Sequence, residues 1–203
     1  MGRHYIPNLM KYLCLCMLGV FVLDLMPFSV SASALLYFDR ALILRGQLWR
    51  LVTFVFLPTS NSLLFIFLSL YFYYLMGNML ENHWGSRKFN LYYLIGVLGN
   101  IAAGFLTGYA TNTFLNMTLF LAVAVLYGDM KVNLFMAFPI RMKYLALVDA
   151  ALLLFQFLSG SWIIKVSLVF SMLPFILFFG QDAKRVWHHE MWKLKNWWAE
   201  HKR

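Results

Sequence analysis

The sequence predicts an all-α integral membrane protein: a six-transmembrane helical bundle with a long membrane-interfacial first loop and an amphipathic C-terminal helix. Three observations lead there. Hydrophobic residues make up 62% of the chain and charged residues only 12%, where a soluble domain carries about a quarter charged. The apolar residues gather into six runs, most of them long enough to cross a hydrocarbon core of about 30 Å. The formal net charge of +9 sits mainly at the ends of those runs, where anionic headgroups lie. That placement makes the lipid bilayer, and not nucleic acid, the expected partner of the basic residues.

The 203 residues suffice for one bundle, residues 1–180, and a basic tail, residues 181–203. The first span is expected over residues 9–26, ended by Pro27. Asp24, Met26 and Pro27 make a poor small-residue cleavage site, so this helix is expected to be retained. Cys14 and Cys16 lie inside it, with no disulfide framework or zinc spacing, and packing is their expected role. Residues 29–59 mix apolar runs with Asp39, Arg40, Arg45 and Arg50, the composition of a loop lying in the interface with short helical pieces. Trp49 is expected at headgroup depth, with Arg50 bonding backbone carbonyls or reaching to the interface.

The second span, residues 61–80, runs into GNMLENHWG. Gly77, Glu81 and Gly85 recur every four residues and so share a helix face. Both glycines are expected to admit a neighbouring helix. The carboxylate between them stands near a helix C-terminus, where the macrodipole opposes it, and must find partners or water. The third span, residues 89–109, repeats the device with Gly96, Asn100, Gly104 and Gly108, which predicts a packed face and a hydrogen-bond partner for Asn100. The fourth span, residues 112–127, is short. Sixteen residues make a helix of about 24 Å, tolerated if other helices surround it or the bilayer thins. Asn116-Met117-Thr118 matches a glycosylation sequon, but its place inside an apolar span argues against use.

Residues 128–143, GDMKVNLFMAFPIRMK, read as an extended interfacial loop in which Pro139 opposes a helix. The fifth and sixth spans, residues 144–158 and 162–179, are separated only by Ser159, Gly160 and Ser161. Asp149 lies inside the fifth, and a structural ion pair with Lys131 or Arg141 is the preferred expectation for it. In the tail, Trp187, Met191, Leu194 and Trp198 share one face, which suits a helix lying on the membrane or docked on a partner. The adjacent His188, His189 and Glu190 face different ways on a helix, so neither a metal nor a cofactor is expected. With the N-terminus inside, thirteen of the 17 basic residues fall on the inner side, which places both termini in the cytoplasm.

GNMLENHWG resembles the GxxxExxxG pattern of the second transmembrane helix of rhomboid-like proteins, and Trp49-Arg50 resembles the WR pair of that family's first loop. The resemblance covers about residues 5–180 and implies the rhomboid fold, with its short central fourth helix. It also implies where an intramembrane protease would carry its chemistry: a GxSG serine at the start of the fourth helix and a histidine base in the sixth. A serine hydroxyl needs such a base to lose its proton, and the developing oxyanion needs fixed donors. In this chain the fourth span has neither serine nor glycine, and the sixth has no histidine. Asn116 and Thr118 stand in the degenerate nucleophile region, and Phe65 and Ser69 stand where the family keeps a histidine and an asparagine for the oxyanion. What remains resembles the rhomboid pseudoproteases. PIRMKYLALVDAALLL and the compact six-span form resemble bacterial members, with derlins more distant. A bacterial plasma membrane is the expected location, or the endoplasmic reticulum for a eukaryotic source.

Three functions are therefore weighed. The first is a catalytically inactive protein that binds transmembrane segments of client membrane proteins, with Asn112, Asn116, Thr118 and Gln156 as groove residues. The second is a divergent intramembrane serine protease using, for example, Lys165 with Ser167 or Ser171. The third is a small transporter or channel, which requires a polar file across several spans. Asp149, Asn100 and Asn116 are too sparse to form one.

Overall fold

A computed structural model describes residues 5–27, 30–134 and 138–180. The tail expectation, with His188 and His189, lies outside the described residues. The chain is predominantly helical, and four helices are long and apolar enough to cross a membrane: α5 (Leu63–Trp84), α6 (Ser86–Thr107), α8 (Met142–Ser159) and the last helix, Trp162–Gly180. Its first part, α9 (Trp162–Ser171), passes through a turn at Met172, close to Pro174. A proline lacks the N–H that would bond the carbonyl four residues back, here that of Phe170. Two further apolar helices are shorter, α1 (Leu9–Asp24) and α7 (Thr113–Tyr127). Between α1 and α5 lie α2 (Ala32–Leu36), α3 (Arg40–Leu44), α4 (Arg50–Thr53) and a 3₁₀ turn, Phe54–Phe56.

The second and third helices meet where the sequence suggested a continuous packing face. α5 runs a turn beyond the expected end, through Glu81 and Trp84, because its polar residues remain helical until Gly85. Gly85 adopts φ 79°, a left-handed conformation that favours glycine, and Ser86 starts α6 at once. No atom approaches the position of a Gly85 Cβ, so this glycine breaks the helix and does not admit a neighbour. Gly108 is corrected likewise: at φ 88° it caps α6. The true close approaches are elsewhere. A Cβ on Gly77 would meet the Met10 side chain of α1, one on Gly96 would meet Leu115 of α7, and one on Gly99 would lie 2.7 Å from the Phe170 carbonyl oxygen of α9. Gly104 closes on the Phe38 ring of the first loop.

α7 is the central element, contacting α5, α6, α8 and α9. At fifteen residues it spans about 22 Å. α1 packs on α5, and α6 packs on α9. At one end, Trp84 gathers Tyr92, Phe178 and Phe179 with ring centroids 5.3–5.4 Å apart. The stretch after α7, expected as an extended interfacial loop, has that extended backbone but pairs with itself. It forms an antiparallel hairpin, β1 (Lys131–Leu134) with β2 (Phe138–Arg141), in which Lys131 faces Arg141 and Val132 faces Ile140. Pro139 is accommodated within a strand of this two-stranded ribbon, which is all edge.

Candidate functional site

Five acidic residues lie in the described part of the chain, and what each one touches defines the polar architecture. Asp39 precedes α3 and accepts the N–H groups of Ala41 and Leu42 at 2.8 and 3.1 Å, an N-cap. Asp24, at the end of α1, reaches across the chain to accept the Ser33 N–H at 3.0 Å and also the Ser33 hydroxyl. Ser33 is in the first turn of α2, so this acid caps a helix other than its own. Glu81 does the same at the opposite end of the bundle. Its Oε1 accepts the Asn8 N–H at the start of α1 (2.8 Å) and the Ser86 hydroxyl at the start of α6 (2.5 Å). The Asn8 N–H and the Ser86 hydroxyl thus offset at Oε1 the unfavourable C-terminus of α5, while Oε2 has no partner among the described residues.

Asp129 pairs with Lys143 at 2.9 Å and Arg141 at 3.6 Å. The hydrogen bond and charge of Lys143 hold its carboxyl below the usual carboxylate range. The ion pair expected for Asp149 is not formed among the described residues: Arg141 goes to Asp129, and Lys131 stands opposite Arg141 in the hairpin. Lys143 lies six residues from Asp149, well around the helix from it. Asp149 sits on the buried stripe of α8 with Met142, Ala146 and Leu153. It is 8% exposed, and its Oδ2 has no hydrogen-bond partner among the described residues.

The first loop solves the same problem with a cation. Arg50 is buried at 4% exposure. Its Nε donates to Gln47 Oε1 (2.6 Å), and its Nη1 donates to the carbonyls of Ala34 (3.2 Å) and Tyr37 (2.8 Å). The guanidinium lies 4.8 Å from the Tyr37 ring centroid. Trp49 is exposed and donates to the Leu35 carbonyl at 3.3 Å. Together with Thr53, whose hydroxyl donates to the Leu36 carbonyl at 2.9 Å, the pair ties α2 to α4.

The residues singled out on α7 divide. Asn112 is buried, and its Nδ2 donates to the carbonyls of Val55 (2.8 Å) and Leu57 (3.0 Å), anchoring the first loop. The Thr118 hydroxyl donates to Leu115 O (2.7 Å) and accepts from the Tyr92 hydroxyl (3.0 Å). These two are satisfied internally and are not open groove residues. Asn116 is fully buried. Its Oδ1 accepts a long bond from the Tyr93 hydroxyl (3.5 Å), while its Nδ2 has no partner among the described residues. Gln156, half-buried on α8, lies seven residues beyond Asp149, two helical turns along one face. Across α7, Ser69 is half-buried on α5, whereas Phe65 is exposed at the helix surface. Tyr73 is buried on α5, with Asp149 near enough to act on its hydroxyl electrostatically. Sequence reasoning passed over Tyr73, Tyr92 and Tyr93. Their signal was three hydroxyl-bearing rings within otherwise apolar spans, where a buried hydroxyl needs a partner.

Asn100 finds the partner expected for it: Ser171 of α9 donates to its Oδ1 at 2.9 Å, and its Nδ2 donates to Gly96 O. Ser167 is buried with no partner among the described residues, and Lys165 bonds neither serine. Among the described residues no three His, Cys, Asp or Glu side chains group as a metal site.

No curated protein matches the chain. The expected bacterial rhomboid pseudoprotease is corrected by the family that does match, which is eukaryotic. The residues behind that expectation have local causes: Gly77 admits Met10, Glu81 joins helix starts and Gly85 breaks a helix. The matching family model is described as "Eukaryotic integral membrane protein (DUF1751)" and covers residues 11–188, so the chain belongs to that family of eukaryotic integral membrane proteins.

Proposed function

We propose that this protein is a non-catalytic membrane protein that holds transmembrane segments of other membrane proteins. In this reading the chain crosses the bilayer six times, with α1 and α7 as short spans beside the four long ones. Both termini face the cytosol, in agreement with the distribution of basic residues, and the endoplasmic reticulum is the proposed membrane. The observation that carries the reading is α7. Its fifteen residues reach about 22 Å in a hydrocarbon layer of about 27–30 Å, and its partner-poor Asn116 lies within the helix. A bilayer thinned around it would accept a client helix that carries polar residues more readily than plain lipid does.

The client surface in this reading is the rim where α5 and α8 flank α7, marked by half-buried Ser69 and Gln156. Photo-crosslinking residues placed at 69 and 156 in intact membranes test it, with exposed Leu147 as the control. Adducts to membrane-spanning segments of other proteins, mapped by mass spectrometry and enriched over position 147, are expected. Lipid adducts alone at all three positions would contradict the reading.

A further inference from the structure

Of the five described acids, four have a partner that explains their position: a helix N-terminus for Asp24, Asp39 and Glu81, and two bases for Asp129. Asp149 has neither. It lies on α8 about 10 Å from the helix start, seven residues into eighteen, near the middle of the span. A carboxylate there is expensive unless paired or hydrogen-bonded, and its Oδ2 has no partner among the described residues. α7, which carries the buried Asn116, packs on α8, and Tyr73 of α5 is near enough to Asp149 to interact with it electrostatically. The orientation of α8 also matters. Its exposed Val148 and Leu152 flank Asp149 along the helix, so the buried acid borders the lipid-facing surface of α8.

We propose that Asp149 is the recognition site for a basic side chain carried near the middle of a partner's transmembrane helix. The proposal rests on the client-binding reading above and gives it a chemistry. A lysine or arginine in hydrocarbon is as poorly placed as an unpaired aspartate, and docking the partner beside α8 relieves both at once by a charge-assisted hydrogen bond. The occupant is thus a helix selected by charge complementarity, in addition to any selected by shape.

The test uses the full-length protein in liposomes, with two labelled transmembrane peptides that are identical except for a central lysine or leucine. Binding is read by energy transfer. The lysine peptide is expected to bind the wild type about tenfold more tightly than the leucine peptide. Asp149→Asn should abolish that preference and leave leucine-peptide binding unchanged, whereas Asp149→Glu should keep part of it. Equal binding of both peptides to the wild type overturns this inference and leaves the client-binding reading standing. A lysine preference that survives Asp149→Asn overturns it too. No binding of either peptide to the wild type removes the client-binding reading, and this inference with it.

Discussion

The first loop and the middle of α8 each bury one ionisable group without an opposite charge beside it, and they treat that group in opposite ways. Around Arg50, two carbonyls, an amide oxygen and an aromatic ring converge on the guanidinium. Around Asp149, one carboxylate oxygen is left without a partner among the described residues. A satisfied buried charge acts as a bolt, whose removal strands the groups that faced it. A buried charge left unsatisfied contributes little to folding, and well-packed hydrocarbon of similar volume can replace it without loss. The contrast separates the part of the polar interior that holds the fold from the part that, in the proposal above, meets a partner.

The largest expected effect is at Arg50. Arg50→Ala should lower the unfolding free energy by about 3 kcal/mol, read by denaturant titration in detergent micelles. Arg50→Lys should recover less than half of that, because an ammonium lacks the planar fork that reaches two carbonyls and Gln47 together. Full recovery by lysine would show that charge alone matters there.

Next come the glycine contacts. Gly99→Ala places a methyl group against the Phe170 backbone carbonyl, which cannot rotate away, and should destabilise by about 2 kcal/mol. Gly96→Ala meets the terminal Cδ1 of the Leu115 side chain, which a small rotamer adjustment moves, and should lose about half as much. If the order were reversed, the assignment of Gly99 to the tighter helix crossing would be wrong.

The smallest effect concerns Asp129. Its carboxyl titrates below the usual range because of Lys143. The pairing therefore adds stability above about pH 4 and loses it as pH falls through the lowered value. Amides of the hairpin should exchange modestly faster at pH 3 than expected from the intrinsic rate, and high salt should produce the same loosening. Exchange indifferent to both would mean that the surface pair contributes nothing to the hairpin.

The helices themselves were legible, since continuous apolar runs announce spans whatever their packing. Asn100 was legible too, because a buried amide among small residues has to bond a neighbouring helix. The glycines were not sorted by spacing alone. Gly77 and Gly85 share a face on paper, but one is a contact and the other, at φ 79°, is the break between two helices. Backbone dihedrals decide that, and a repeat of four does not reveal them. Asp149 was misread as the partner of a loop base, Lys131 or Arg141, because the sequence does not show that the hairpin delivers Arg141 to Asp129. The bonds of Glu81 to the Asn8 N–H before α1 and to the Ser86 hydroxyl of α6, and the capping of α2 by Asp24, depend on which helix ends meet in space. No local pattern records such a meeting.

The central claim is that Asp149 is not part of what holds the fold together. Its most direct test is the unfolding free energy of Asp149→Leu beside the wild type in the same micelles. The account predicts a value unchanged or raised by about 1 kcal/mol; a loss of about 2 kcal/mol or more would contradict it and make Asp149 a second bolt like Arg50.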